Sequence, residues 1–206
     1  GAEVEEVTRG LGLDRRIGPA FLRPGPGFGG ACLPKDTRAL LHTHREFGTG
    51  SRIVGAALAV NESRIHRMVE KVEEAVGTPL SGLRIGVLGI TFKADTDDVR
   101  ESPAIDIVNE LVEVGCRVRV YDPMGMSHAK LYLAAGVEYG ADAYDAITGA
   151  DVMVIATEWP EFGVLDLNEL RSRLANPVIV DMRNVFDPEK VAAAGIAYHS
   201  IGRRSR

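Results

Sequence analysis

Cysteine is scarce in this sequence, two residues in 206, and tryptophan occurs once. Cys32 and Cys116 make no disulfide framework in a chain this long, and neither sits in a C-x-x-C metal spacing, so reduced thiols are expected. Excess positive charge is missing too. With 24 Lys plus Arg against 29 Asp plus Glu, the net charge of −5 argues against a general nucleic-acid binder. A local basic site gripping a phosphate-bearing small molecule is still compatible with it. No apolar run approaches the ~20 residues that span a bilayer, and no signal pattern opens the chain, so no membrane partner and a cytoplasmic address are expected.

Apolar residues at 45% and charged residues at 26% belong to an ordinary globular protein, and the length predicts one large or two modest domains. Residues 1–80 read as helical. Val4, Val7 and Leu11 have helical spacing that stops at glycines, as if a helix had been entered part-way, which predicts that the chain is a fragment. Pro34 and Gly48 suit the start and stop of a helix over 34–47. Ser51 is placed to cap a longer one, whose Val54, Leu58, Ile65, Val69, Val72 and Val76 form one stripe ending at Gly77. Such a helix joins domains, supports a dimer or simply lines a core. The segment 77–82 is the candidate linker.

From Leu83 the pattern changes to short β-branched runs at 84–90, 116–122, 151–157, 177–182 and 196–201, alternating with helix-like segments. This predicts a doubly wound α/β domain with a parallel sheet over residues 81–206. Ligands in such folds sit at the carboxyl ends of strands, which directs attention to 91–100, Asp122, Thr157 to Trp159, and Asp181 to Asn184. The first βα turn lacks G-x-G-x-x-G: Gly86 and Gly89 are present, but Ile90 to Lys93 fill the turn. The next helix is expected only at Ser102 and Pro103, with Ser102 as cap. Lys93 and Arg100 in the loop between can bind phosphate by charge, or can pair with Asp95, Asp97, Asp98 and Glu101. A calcium loop is excluded, since counting from Asp95 puts Arg100 and Asp106 where Gly and Glu are needed. The histidines offer no ligand spacing either, and no metal is expected.

The stretch RPGPGFGGACLPKD, Arg23 to Asp36, surrounds Cys32 with glycines and prolines and then starts a helix. A helix N-terminus and Lys35 can both stabilise a thiolate, the glycines let amides approach a ligand, and Asp36 can orient or deprotonate a water. A buried structural cysteine beside a helix-favouring Asp explains the same residues equally well. Cys116, heading a strand after Gly115, reads as structural.

GFGGACLPKD, FKADTDDVRESPA, TEWPEF, DMRNVFDP and YHSIGR, in this order across the whole chain, resemble the nucleotide-sugar dehydrogenases of the UDP-glucose/GDP-mannose dehydrogenase family, and within it the UDP-glucose group. The resemblance implies an NAD-dependent four-electron oxidation of UDP-glucose to UDP-glucuronate. It makes Cys32 the nucleophile that carries a thiohemiacetal and then a thioester, and Asp36 the residue assisting water. Lys35 and Arg100 would contact NAD. Phe21, Leu22, Arg23, Pro24, Gly25 and Gly29 would form the loop over the sugar and phosphates; Phe92 and Lys93 would hold UDP, with Arg183 a further candidate on the nucleotide. Arg16 would reach the substrate of a partner subunit in a homodimer formed through the helical central segment, 1–80. The main NAD domain and two catalytic residues of the family would precede this chain, so the polypeptide alone is expected not to turn over. A GDP-mannose or UDP-N-acetylmannosamine substrate, or a nucleotide-sugar-binding module without chemistry, are the competing readings.

Overall fold

The computed structural model describes residues 2–203. Its first third contains three helices, α1 (Val4–Gly12), α2 (Leu33–Glu46) and α3 (Arg52–Val76). Pro34 enters the first turn of α2, and α3 ends where Gly77 takes φ 68°, a left-handed conformation that costs glycine little. Leu58, Val69 and Val72 of the expected stripe are buried, and Ile65 and Val76 pack against the core. Burial is concentrated in the second half of α3. That half crosses over the sheet, so this helix shares the core of the α/β part although its sequence pattern belongs to the helical part.

Six strands follow: β1 (Arg84–Leu88), then helix α4 (Pro103–Glu113), β2 (Arg117–Tyr121), helix α5 (Met126–Ala129), β3 (Glu138–Tyr139), helix α6 (Ala143–Ile147) and β4 (Val152–Ile155). A 3₁₀ turn at Pro160–Val164 and helix α7 (Leu167–Arg173) lead to β5 (Val178–Asp181), helix α8 (Pro188–Ala193) and β6 (Ala197–Ser200). The sheet is parallel throughout, in the order β3-β2-β1-β4-β5-β6. Sequence periodicity did not anticipate β3, because two exposed residues are too few to show an alternation. Val87, Val154 and Val180 face the α3/α4 layer, while Leu88, Met153, Ile155 and Ile179 face the other side, against Phe162 and Leu170. Burial on both faces explains why these strands read as continuous apolar runs.

Two expected caps are not made. Neither Ser51 nor Ser102 accepts a hydrogen bond from the first turn of its helix. At Ser51 the backbone (φ −117°, ψ 72°) lies outside the extended region that aims an N-cap oxygen at those amides. At Ser102 the backbone is extended, but Oγ is sealed and unpartnered among the described residues. The basic closing stretch GRRSR is tied down where it is described. Val4 N–H donates to the Gly202 carbonyl (2.8 Å), and Arg203 pairs with Glu5 and donates to the Phe186 carbonyl (3.1 Å). These contacts tie α1 to the far end of the chain; Arg204 to Arg206 lie outside the described residues.

Candidate functional site

The strand order reverses between β1 and β4, so a crevice opens at their carboxyl ends, the usual ligand position in a doubly wound sheet. The side chains there separate into anchors and groups left available. Asp122, at the end of β2, is 1% exposed and accepts from the amides of Ile90, Thr91, Met124 and Gly125, the Thr91 hydroxyl and Trp159 Nε1, at 2.7–3.1 Å. An acidic residue near this place in dinucleotide-binding folds takes a ribose hydroxyl. Here six donors consume it, and it clamps the loops after β1 and β2 together.

Asp181, at the end of β5, plays the same part for the DMRNVF turn. It accepts from the amides of Arg183, Val185 and Phe186 and from the Tyr198 hydroxyl, at 2.7–3.0 Å. Burial pushes its pKa up, opposed by those four donors, and burial together with the Asp181 charge pushes the Tyr198 phenol up. The turn so held aims Arg183 across the strand ends. Arg183 Nε donates to the Ala156 carbonyl (2.9 Å) and Nη2 to the Phe92 carbonyl (3.2 Å), while Glu158 lies 3.0 Å from Nε. Burial pulls this guanidinium's pKa down and the Glu158 and Asp181 charges pull it back; with five N–H donors, of which two are used here, it remains a cation with hydrogens to spare.

The loop that carries Cys32 is pressed against this scaffold. A Cβ on Gly25 would lie 2.8 Å from Arg183 Nη1, one on Gly29 would lie 2.1 Å from the Glu101 carbonyl oxygen, and one on Gly30 would lie 2.8 Å from the Phe92 ring. Gly29 and Gly30 are therefore bare because the loop approaches the β1–α4 connection too closely for a side chain. Asn61 of α3 fastens the loop, accepting from Phe28 N–H (2.8 Å) and donating to its carbonyl (3.1 Å); Arg64 donates to the Gly25 carbonyl (2.5 Å). Arg38 of α2 reaches Glu101 at 2.6 Å.

Between this loop, α1 and the strand ends lies a cleft of about 740 Å³. Of the residues expected at a site, Leu22, Arg23, Pro24 and Arg183 line it, and Gly25 adjoins Arg183. Arg9, Glu158 and Trp159 also line it. Glu158 and Trp159 were visible as strand-end residues without a role. Arg9 carried no signal, because the strand ends it faces are about 150 residues away along the chain.

The remaining expected residues are not in the cleft. Cys32 occupies the N-cap position of α2 and is exposed, with Lys35 and Asp36 one turn on and paired at 2.8 Å. The hydrogen bond to Asp36 and its charge raise the Lys35 pKa. Arg100 is raised by its two 2.9 Å bonds to Asp98, whose own pKa that pairing lowers. Cys32 lies close enough to add a small share to both upward shifts. Of the two options for the cations after β1, Arg100 takes the acid pairing. Lys93 has no carboxylate partner among the described residues and sits 5.6 Å from the centre of the Phe92 ring. Phe21 is fully exposed at φ 61°, and Arg16 is exposed and bound to Asp14 at 2.5 Å. Cys116 is buried, donates to the Leu80 carbonyl, and is pushed up to about 11 by desolvation.

The β1–α4 connection does not fit a dinucleotide. The start of α4 is covered by Pro103 and Gly29, and the acid that would take a ribose is spent. Lys35 and Arg100 beside Cys32 are cations of the kind a dinucleotide phosphate needs. Among the described residues no group of His, Cys, Asp and Glu is arranged to hold a metal, and no helix is long and apolar enough to cross a membrane.

Known proteins share this chain's sequence pattern and fold. The chain is 48% identical over 203 residues to the UDP-glucose 6-dehydrogenase of Rhizobium meliloti, covering 98% of this chain and 46% of that one. It is 43% identical to the UDP-glucose 6-dehydrogenase TuaD of Bacillus subtilis, covering 98% and 44%. A UDP-glucose dehydrogenase structure from Pyrobaculum islandicum superposes with a TM-score of 0.85 at 37% identity, over 98% of this chain and 44% of that one. The chain thus spans about half the length of the curated relatives it matches. Sequence profiles match residues 1–63 as the central domain and 86–188 as the UDP binding domain of one family, and the chain belongs to that family, the UDP-glucose/GDP-mannose dehydrogenases.

Proposed function

We propose that this chain is the nucleotide-sugar-binding and thiol-bearing part of an NAD-dependent UDP-glucose 6-dehydrogenase. The observation that carries the reading is the joint between Arg183 and Gly25, where the strand ends of a UDP-binding domain meet the loop that leads to an exposed cysteine at a helix start. Substrate class comes from the curated relatives at 43–48% identity, which carry the UDP-glucose 6-dehydrogenase name. Phe21 to Gly25 and Gly29 form the covering loop, with Arg183, Phe92 and Lys93 on the nucleotide. Arg16 serves the site of a second copy, docked through the helical segment, where Phe47, Ile53 and Val60 stand exposed.

NAD, when bound, supplies hydride acceptance, and we assign its main site to residues outside this chain, with Lys35 and Arg100 touching its phosphates. Cys32 would add through sulfur to a C6 aldehyde, its proton passing to the aldehyde oxygen, and so hold the carbon as a thiohemiacetal; with the hydride acceptance that NAD would supply, the sulfur would then carry a thioester. Asp36, held by Lys35, takes a proton from the water whose oxygen attacks the thioester; the C–S bond breaks, releasing carboxylate and thiol. These 206 residues bind nucleotide without turnover. Calorimetry tests the reading: UDP and UDP-glucose bind and GDP binds more weakly. Absence of UDP binding at millimolar concentration by the folded chain overturns it. In the full-length enzyme Cys32→Ala abolishes UDP-glucuronate formation, and retained activity removes the thiol from the mechanism.

A further inference from the structure

Glu158 stands at the carboxyl end of β4, beside the crevice where strand order reverses, and lines the large cleft. Its Oε2 is sealed from solvent and lies 3.0 Å from Arg183 Nε, but that N–H is directed at the Ala156 carbonyl. Among the described residues no hydrogen bond reaches this carboxylate. The ion pair with Arg183 offsets part of the desolvation of this carboxylate, but no hydrogen bond fills its acceptor sites, so a hydroxyl donor arriving in the cleft meets an oxygen with lone pairs free. The side chain keeps 27% of its surface, so the oxygen not sealed against Arg183 is the one available to a ligand.

The chemistry around it defines the donor. Asp122, the strand-end acid in the usual ribose position, has six donors and 1% exposure and can accept nothing more. Arg9 and Arg23 line the same cleft and have no ion-pair or hydrogen-bond partner among the described residues, and Arg183 supplies a third guanidinium. Three cations and one unfilled acceptor fit a molecule that carries phosphate and hydroxyls together. The two adjacent O–H groups of a vicinal diol match the two lone-pair sites of one carboxylate oxygen.

We propose that Glu158 is the ribose-recognising residue of this cleft, accepting hydrogen bonds from the 2′- and 3′-hydroxyls of a nucleoside diphosphate whose phosphates lie among Arg9, Arg23 and Arg183. The proposal rests on the nucleotide-site reading above and adds a residue that replaces the consumed Asp122. Because Glu158 also neighbours Arg183, its loss perturbs overall affinity for structural reasons; the selectivity between ribose and deoxyribose ligands does not share that ambiguity.

The test is calorimetric titration of the chain with UDP and with 2′,3′-dideoxyuridine diphosphate, for the unaltered protein, Glu158→Gln and Glu158→Ala. The unaltered protein prefers UDP by roughly tenfold or more, as expected for a hydrogen bond to a charged group. Glu158→Ala brings the two ligands within about twofold, and Glu158→Gln, which keeps a neutral acceptor, retains an intermediate preference. If Glu158→Ala does not fold, the reduced preference of Glu158→Gln decides. UDP binding with no preference in the unaltered protein, or with the preference intact in the variants, overturns the ribose assignment alone. Failure of the unaltered protein to bind UDP overturns the nucleotide-site reading itself.

Discussion

The sheet region and the helical region treat their polar groups in opposite ways. At the strand ends, Asp122 and Asp181 are buried and saturated with donors, and each fixes a loop in one conformation. Along residues 14–36 the charged groups stand in solvent, where Arg16 pairs with Asp14 and Lys35 with Asp36 while Arg23 has no partner among the described residues. The two cysteines repeat the contrast: Cys116 is sealed behind Leu80 and Cys32 faces outward at a helix start. One region fixes its loops with buried acids and shares its core with the second half of α3. The other is steadied by leaning on the first through glycine contacts, Asn61 and the Arg38–Glu101 pair.

Breaking the rigid side has the largest expected effect. Asp122→Ala strands several buried donors at once and lowers unfolding free energy by about 4 kcal/mol or more, read from urea denaturation. The thiols give a sharper contrast without mutation. With a pKa of about 11, Cys116 is roughly one-thousandth thiolate at pH 8, and an aromatic disulfide reagent labels Cys32 at least about a hundredfold faster. Cys32→Ser removes the fast phase and leaves the slow one.

The joint between regions comes next. Gly29→Ala puts a methyl into the Glu101 carbonyl and costs about 2 kcal/mol, with faster proteolysis within residues 20–36 marking a detached loop. The smallest effect is a pH dependence at His66, which bridges α3 and α4 through Glu110 (2.7 Å) and also meets Glu70 (3.3 Å). The hydrogen bond to Glu110 and the two carboxylate charges raise its pKa above the ordinary 6.5. A raised folded-state value makes its stabilisation complete below the unfolded-state pKa and lost as pH rises through the folded one. Urea midpoints of His66→Gln therefore fall below those of the unaltered chain at pH 5.5 and converge with them at pH 9.

Much of the framework was legible because short-range rules act on near neighbours. The β-branched runs, the stripe from Val54 to Val76 and the stop at Gly77 each declared their element, since burial on a strand or helix face imposes a period that the chain itself displays. β3 was missed for want of length. The caps expected at Ser51 and Ser102 are not made, since a cap depends on backbone angles at Ser51 and on the direction of the hydroxyl at Ser102, neither of which the letter alone sets.

The stretch around Cys32 stood out because chemistry-bearing residues are dense there, whereas the cleft assembled across distance carried no such mark. Glycines at 25, 29 and 30 announced a close approach, yet the partners turned out to be Arg183, Glu101 and Phe92 of the same chain. Whether an acid is an anchor or an unfilled acceptor depends on which donors arrive from elsewhere, and Asp122 and Glu158 look alike as letters at strand ends. Order along the chain set most of the strands and helices and the turn into α2, because those follow from local propensity and periodicity. Assignment of each charge as spent or available waited on folding, because Coulomb and hydrogen-bond partners are chosen by proximity in space.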